Sequence, residues 1–147
     1  MKVFYIFQIK KEFVSLYKET PSILFNILRS IYYLDKEEVE YGYHLFKQLI
    51  VPMDKKEMDK RIFLKYHQEI PYIKRGNIHI LNNLYKDEVS RLVINHYYMK
   101  LEIEQDFSSF YPYLKEEYQN LFVCSFKNID FFFLDNNEIR KNNKIIL

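Results

Sequence analysis

The chain has 147 residues, 48% hydrophobic and 29% charged, a formal net charge of +2 and one cysteine. These values exclude a disordered chain and an internal disulfide framework, and they lack the strong basic excess that direct nucleic-acid binders carry. A chain of this length fits one domain, residues 1–147, whose core needs no metal or disulfide.

Residues 3–9 predict the first element. Val3, Tyr5, Phe7 and Ile9 oppose Phe4 and Ile6, so both faces are apolar, as in a strand inside a sheet. Lys10 to Lys18 has helical composition but spans about two turns, so tertiary contacts must hold it. Thr20-Pro21 reads as a capped helix start, followed by the stripe Leu24, Ile27, Leu28, Ile31 and Leu34. Asp35-Lys36-Glu37-Glu38 reads as a capping box for a third helix with apolar face Val39, Tyr43, Phe46 and Ile50, ended by Pro52. Gly42 within it suggests a close helix crossing. Asp54 and Glu57 start a fourth helix carrying Met58, Ile62 and Tyr66, with Phe63 and Leu64 off the stripe.

The second half changes character. Residues 72–74, 77–82 and 98–104 read as strands, with a turn at Arg75-Gly76-Asn77. Residues 85–96 fit helix or strand, with strand favoured for 90–94. Residues 106–120 predict a helix that starts late, because Pro112 suits its first turn, and residues 122–127 and 131–134 predict a hairpin around Asn128. The expected fold is α+β: a mostly antiparallel sheet packed with several helices.

Chemistry is sparse. His44, His67, His79 and His96 have no ligand-pair spacing, Cys124 between Phe122 and Phe126 reads as a small buried hydrophobe, and two glycines cannot build a phosphate loop. The expectation is a non-enzyme with no catalytic residue, no metal and no cofactor. No apolar run reaches the roughly 18 residues of a membrane helix, and residues 1–11 do not resemble a signal peptide, so a cytoplasmic monomer that avoids membranes is expected. The basic tail Arg140-Lys141-Asn142-Asn143-Lys144 is the one weak argument for DNA contact.

Phe13 and Tyr17 stand at i and i+4 on the first helix, flanked by Lys10, Lys11 and Lys18. An aromatic pair at this spacing is either core or the centre of a docking surface with a basic rim; the residues by themselves leave both open and favour core.

The run Tyr5, Phe7, Ile9-Lys10, Glu12-Phe13 and Tyr17, followed at once by an apolar helix, resembles the sporulation inhibitor of replication (SirA) family. The length, Pro52, the strand ending in Leu101-Glu102-Ile103 and the late aromatic hairpin are also similar, while Phe131 to Leu134 departs from the family pattern. The resemblance implies a small cytoplasmic factor of spore-forming Gram-positive bacteria that binds the N-terminal domain of the replication initiator DnaA and occludes it. It places the partner-facing aromatics at Phe13 and Tyr17, favouring exposure, and a polar contact at Lys47 or Gln48. The alternative expectation is a small-molecule-binding domain with an aromatic-lined pocket.

Overall fold

The computed structural model describes residues 1–35 and 37–136. In chain order these form β1 (Lys2–Gln8), α1 (Lys11–Tyr17), α2 (Pro21–Tyr32), α3 (Val39–Leu49), α4 (Lys55–Tyr66), β2 (Tyr72–Arg75), β3 (Ile78–Asn83), β4 (Glu88–Ile94), β5 (Met99–Ile103), α5 (Phe110–Glu117), β6 (Leu121–Ser125) and β7 (Asp130–Phe133). A 3-10 turn, Leu134–Asn136, follows. The seven strands make one antiparallel sheet in the order β2-β3-β4-β5-β1-β6-β7. The fold is α+β.

β1 lies between β5 and β6 and feeds two cores, which is why its sequence is apolar on both faces. Phe4 and Ile6 join Met58 and Ile62 of α4, Phe110 and Leu114 of α5 and the inward residues of β4 and β5. Phe7 and Ile9 join Leu24, Phe25 and Leu28 of α2, with Phe122, Cys124 and Phe133 from the last hairpin. β6 is likewise buried at all five positions. By contrast β5 alternates buried Met99, Leu101 and Ile103 with half-buried Lys100 and Glu102, so only one of its faces carries a core.

Local chemistry accounts for some boundaries. Asp54 caps α4 by accepting from the Glu57 amide at 3.2 Å, and Gly76, at φ +59°, makes the left-handed turn between β2 and β3. Two expected caps are corrected. Thr20 precedes α2 but its side chain caps nothing, so Pro21 alone predisposes that start. The expected box at 35–38 does not open α3 either. The helix begins at Val39 with Glu38 before it and no side-chain cap, and Lys36 lies outside the described residues. The expected apolar face of α3 also shifts. Val39 and Tyr43 are exposed, Phe46 is half-buried, and the buried positions are Gly42, Leu49 and the following Ile50.

Gly42 is buried where α3 crosses α2, and a Cβ there would collide with Cδ1 of Leu34. The missing side chain is what lets the helices approach. Helices α1 to α3 thus form a layer against the β1-β6-β7 end of the sheet, and α4 and α5 cover its other face.

Candidate functional site

The short α1 is fixed from outside itself, as its length requires. The chain leaving α3 turns back along the end of β1: Val51 N donates to Gln8 O at 2.8 Å, Lys10 N donates to Leu49 O at 2.9 Å, and Ile9 bridges Ile50. Lys10 is the residue preceding α1 and Leu49 is the last of α3, so one hydrogen bond ties the two elements that carry the expected partner residues.

Phe13 and Tyr17 are neither sealed nor free. Both are half-buried and, with Val14, pack against the core formed by Phe7, Phe25 and their neighbours, while Leu16 points outward at 61% exposure. No residue of α1 is fully buried. Lys10 is half-buried, Lys11 and Lys18 are exposed, and Lys47 and Gln48 are exposed on the last turn of α3. Lys47 Nζ sits 4.3 Å from the Tyr43 ring centroid, a cation–π contact that holds the ammonium near the surface. Glu12 and Glu19 are exposed beside these lysines in the sequence, so the basic excess is modest.

A second feature opens where α2, α3 and the sheet meet. An apolar groove of about 260 Å³ is floored by Tyr5, Phe7, Tyr98 and Phe126 and walled by residues such as Leu34 and Val39. Its rings contact one another: Tyr5 stands 5.6 Å from both Tyr98 and Phe126, and Tyr32 stacks on Phe126 at 4.7 Å. Burial and the neighbouring Tyr32 push the Tyr5 hydroxyl well above its usual pKa, so it stays a neutral lining group.

On the opposite face a broader concavity of about 970 Å³ runs past Tyr66, Pro71, Glu88, Phe107 and Tyr113. Glu88 is 4% exposed and saturated. Its carboxylate accepts from Ser90 Oγ at 2.7 Å, from Ser109 N at 2.8 Å and from Ser109 Oγ. That arrangement ties β4 to the start of α5.

Two buried polar clusters went unseen in the sequence reading, Glu88 with its serines and His79 with Asp59 and Tyr72. His79 Nε2 faces Asp59 Oδ1 at 2.7 Å and its Nδ1 faces the Tyr72 hydroxyl at 2.8 Å. Strand alternation carried the signal for both. His79 shares its face with Leu81, and Glu88 and Ser90 share theirs with Leu92 and Ile94.

Among the described residues no three His, Cys, Asp or Glu side chains converge as a metal site. Cys124 is buried and burial raises its thiol pKa far above the ordinary value, which removes the thiolate. No described helix is long and apolar enough to cross a membrane. The basic tail at 140–144 lies outside the described residues. No family model matches the chain, and no curated protein is significantly similar to it.

Proposed function

We propose that this chain is a non-enzymatic inhibitor of replication initiation of the SirA kind, cytoplasmic and monomeric, which binds the N-terminal domain of DnaA through α1 and the last turn of α3. The observation that carries the reading is the Lys10–Leu49 hydrogen bond, which holds the element bearing Phe13 and Tyr17 against the end of the element bearing Lys47 and Gln48. A contact surface drawn from two helices binds well only if they are fixed before the partner arrives. Half-buried rings also suit the role. Their inner edges are anchored in the core, so little rotamer freedom remains to be lost, and their outer edges are open to a partner.

Inhibition here is occlusion: a rigid domain covering an adapter surface competes with the adapter's other partners, and no bond is made or broken. Titrating purified DnaA N-terminal domain into the full chain by calorimetry tests the proposal. Saturable heat is expected at micromolar to tens-of-micromolar concentrations, and no heat at about 100 μM overturns it. The small-molecule alternative finds its aromatic lining in the α2–α3 groove. At about 260 Å³ that space falls below the roughly 300–1,000 Å³ of ligand pockets, whereas the concavity of about 970 Å³ past Tyr66, Phe107 and Tyr113 lies within that range and is the larger candidate space for this second reading.

A further inference from the structure

We propose that the open face of strands β2 to β5 docks an amphipathic helix of a partner protein, one whose apolar stripe is bordered by acidic side chains. The register defines the face. Ile73 stands opposite Ile80, Ile80 opposite Arg91, Arg91 opposite Glu102 and Glu102 opposite Val3, while a second row runs Arg75, Ile78, Val93, Lys100 and Tyr5. Directly opposed residues project to the same side of a sheet. Tyr5 packs against the core beneath α2, so this is the side that α1 to α3 cover over β1, β6 and β7. Helices α4 and α5 lie on the other side, which leaves β2 to β5 open on this one. Aliphatic side chains fill the opening: Val3, Ile73, Ile78, Ile80, Val89 and Val93 belong to neither core, Ile73 is 47% exposed and the others are half-buried. A solvated antiparallel face ordinarily turns polar residues outward. Strand propensity explains single β-branched residues there, but not a set paired across β2, β3 and β4.

Charge and width select the occupant. Arg75, Arg91 and Lys100 stand among these aliphatics, and none of the three forms an ion pair among the described residues. Glu102 lies opposite Arg91, and Glu104 lies past the end of β5, so the cations gather along the row from Arg75 to Lys100. Acidic side chains beside an apolar stripe complement that arrangement. From β2 to β5 the face is about 14 Å wide at the usual strand spacing, which suits one helix of about 10–12 Å diameter. A second copy would set cation against cation. The same holds for the chain's own end, where Arg140, Lys141 and Lys144 follow one another. Between β2 and β5 the two rows hold no ring on which a nucleic-acid base could stack, which favours a protein partner. The face uses no residue of α1 or α3, so this inference does not depend on what those helices bind.

The test uses the full chain and a fluorescein-labelled helical peptide of about 18 residues, with leucines along one stripe and glutamates on both borders, read by fluorescence anisotropy at low salt. Control peptides carry lysines for the glutamates, or serines for the leucines. Saturable binding is expected, about tenfold or more weaker for either control peptide, about tenfold weaker in Ile78→Thr combined with Ile80→Thr, and about fivefold weaker in Arg75→Gln combined with Arg91→Gln. Both arginines are exposed, so their double variant is expected to keep the wild-type thermal midpoint, and threonine keeps the strand preference of isoleucine. Phe13→Ala should leave peptide affinity unchanged, which separates this face from the initiator-binding surface. Several outcomes overturn the proposal: no saturation at about 1 mM; equal binding of the lysine peptide; or affinity indifferent to both double variants. A dimer of the chain that Ile78→Thr with Ile80→Thr dissociates would assign the face to a second copy, and tighter binding of a DNA oligonucleotide, lost in the arginine double variant, would assign it to nucleic acid.

Discussion

His79 Nε2 lies 2.7 Å from Asp59 Oδ1, and the imidazole is completely buried between α4 and the β2–β3 hairpin. Because a carboxylate only accepts, Nε2 carries the proton, and a neutral ring then accepts at Nδ1 from the Tyr72 hydroxyl 2.8 Å away. Burial pushes the Tyr72 hydroxyl up to about 12, so it remains a donor at all ordinary pH values.

That ring makes stability pH-dependent. Burial lowers the His79 pKa below its ordinary 6.5, with the Asp59 hydrogen bond opposing more weakly. The unfolded chain therefore binds the proton first, so the contribution is complete above about pH 6.5 and declines as pH falls below it, by at most about 1.4 kcal/mol per pH unit. Urea unfolding at pH 7.5, 6.5 and 5.5 should show this slope in the wild type and a flatter one in His79→Gln. A wild-type slope no steeper than the variant's would mean that the Asp59 ion pair outweighs desolvation.

Half-burial of Phe13 and Tyr17 predicts that binding and stability respond unequally. Full removal of a buried Phe costs about 3–5 kcal/mol, so a half-exposed one should cost roughly 1–2 kcal/mol, a drop of several degrees in the thermal midpoint. Affinity for the initiator domain should fall about tenfold or more in Phe13→Ala and again in Tyr17→Ala. A midpoint collapse with unchanged affinity would assign the rings to the core alone.

At Gly42 two terms of similar size compete. Alanine gains about 1 kcal/mol of helix propensity, but its Cβ must displace Leu34 Cδ1. Gly42→Ala alone should therefore be nearly neutral, whereas in a Leu34→Ala background it should stabilise by about 1 kcal/mol. A double-mutant cycle measured by chemical denaturation reads this coupling directly.

Glu88 holds the entrance of α5. Glu88→Ala strands the Ser109 amide and the serine hydroxyls in a buried setting, at a cost of about 2–4 kcal/mol, while Glu88→Gln keeps one acceptor and should cost about half as much. Amide exchange should accelerate first in α5 in both variants. Equal exchange in α5 and in β4 would show that the tie is not local.

Cys124 should resist thiol reagents in the folded chain and react fully in urea, since burial suppresses both access and thiolate formation. A native-state reaction as fast as that of the unfolded chain would contradict the packing of β6.

Period-two and period-3.6 patterns were enough to read the elements themselves: both faces of β1, the Met58-Ile62-Tyr66 stripe of α4, the Asp54 cap, the Gly76 turn and the late start of α5 at Pro112 all follow from neighbours within a few residues. Caps at Thr20 and Asp35 misled, because a side chain of the right type still needs the right backbone geometry at its own position.

What only the tertiary structure decided was which faces meet. Leu16 and Phe13 look equally apolar in sequence, yet Leu16 faces solvent because the β1–α3 backbone bonds set the roll of α1. The α2–α3 groove, the Leu34 notch at Gly42 and the Asp59–His79–Tyr72 chain each join residues from different elements. Local periodicity states that a face is apolar; the packing of distant segments determines what it is buried against.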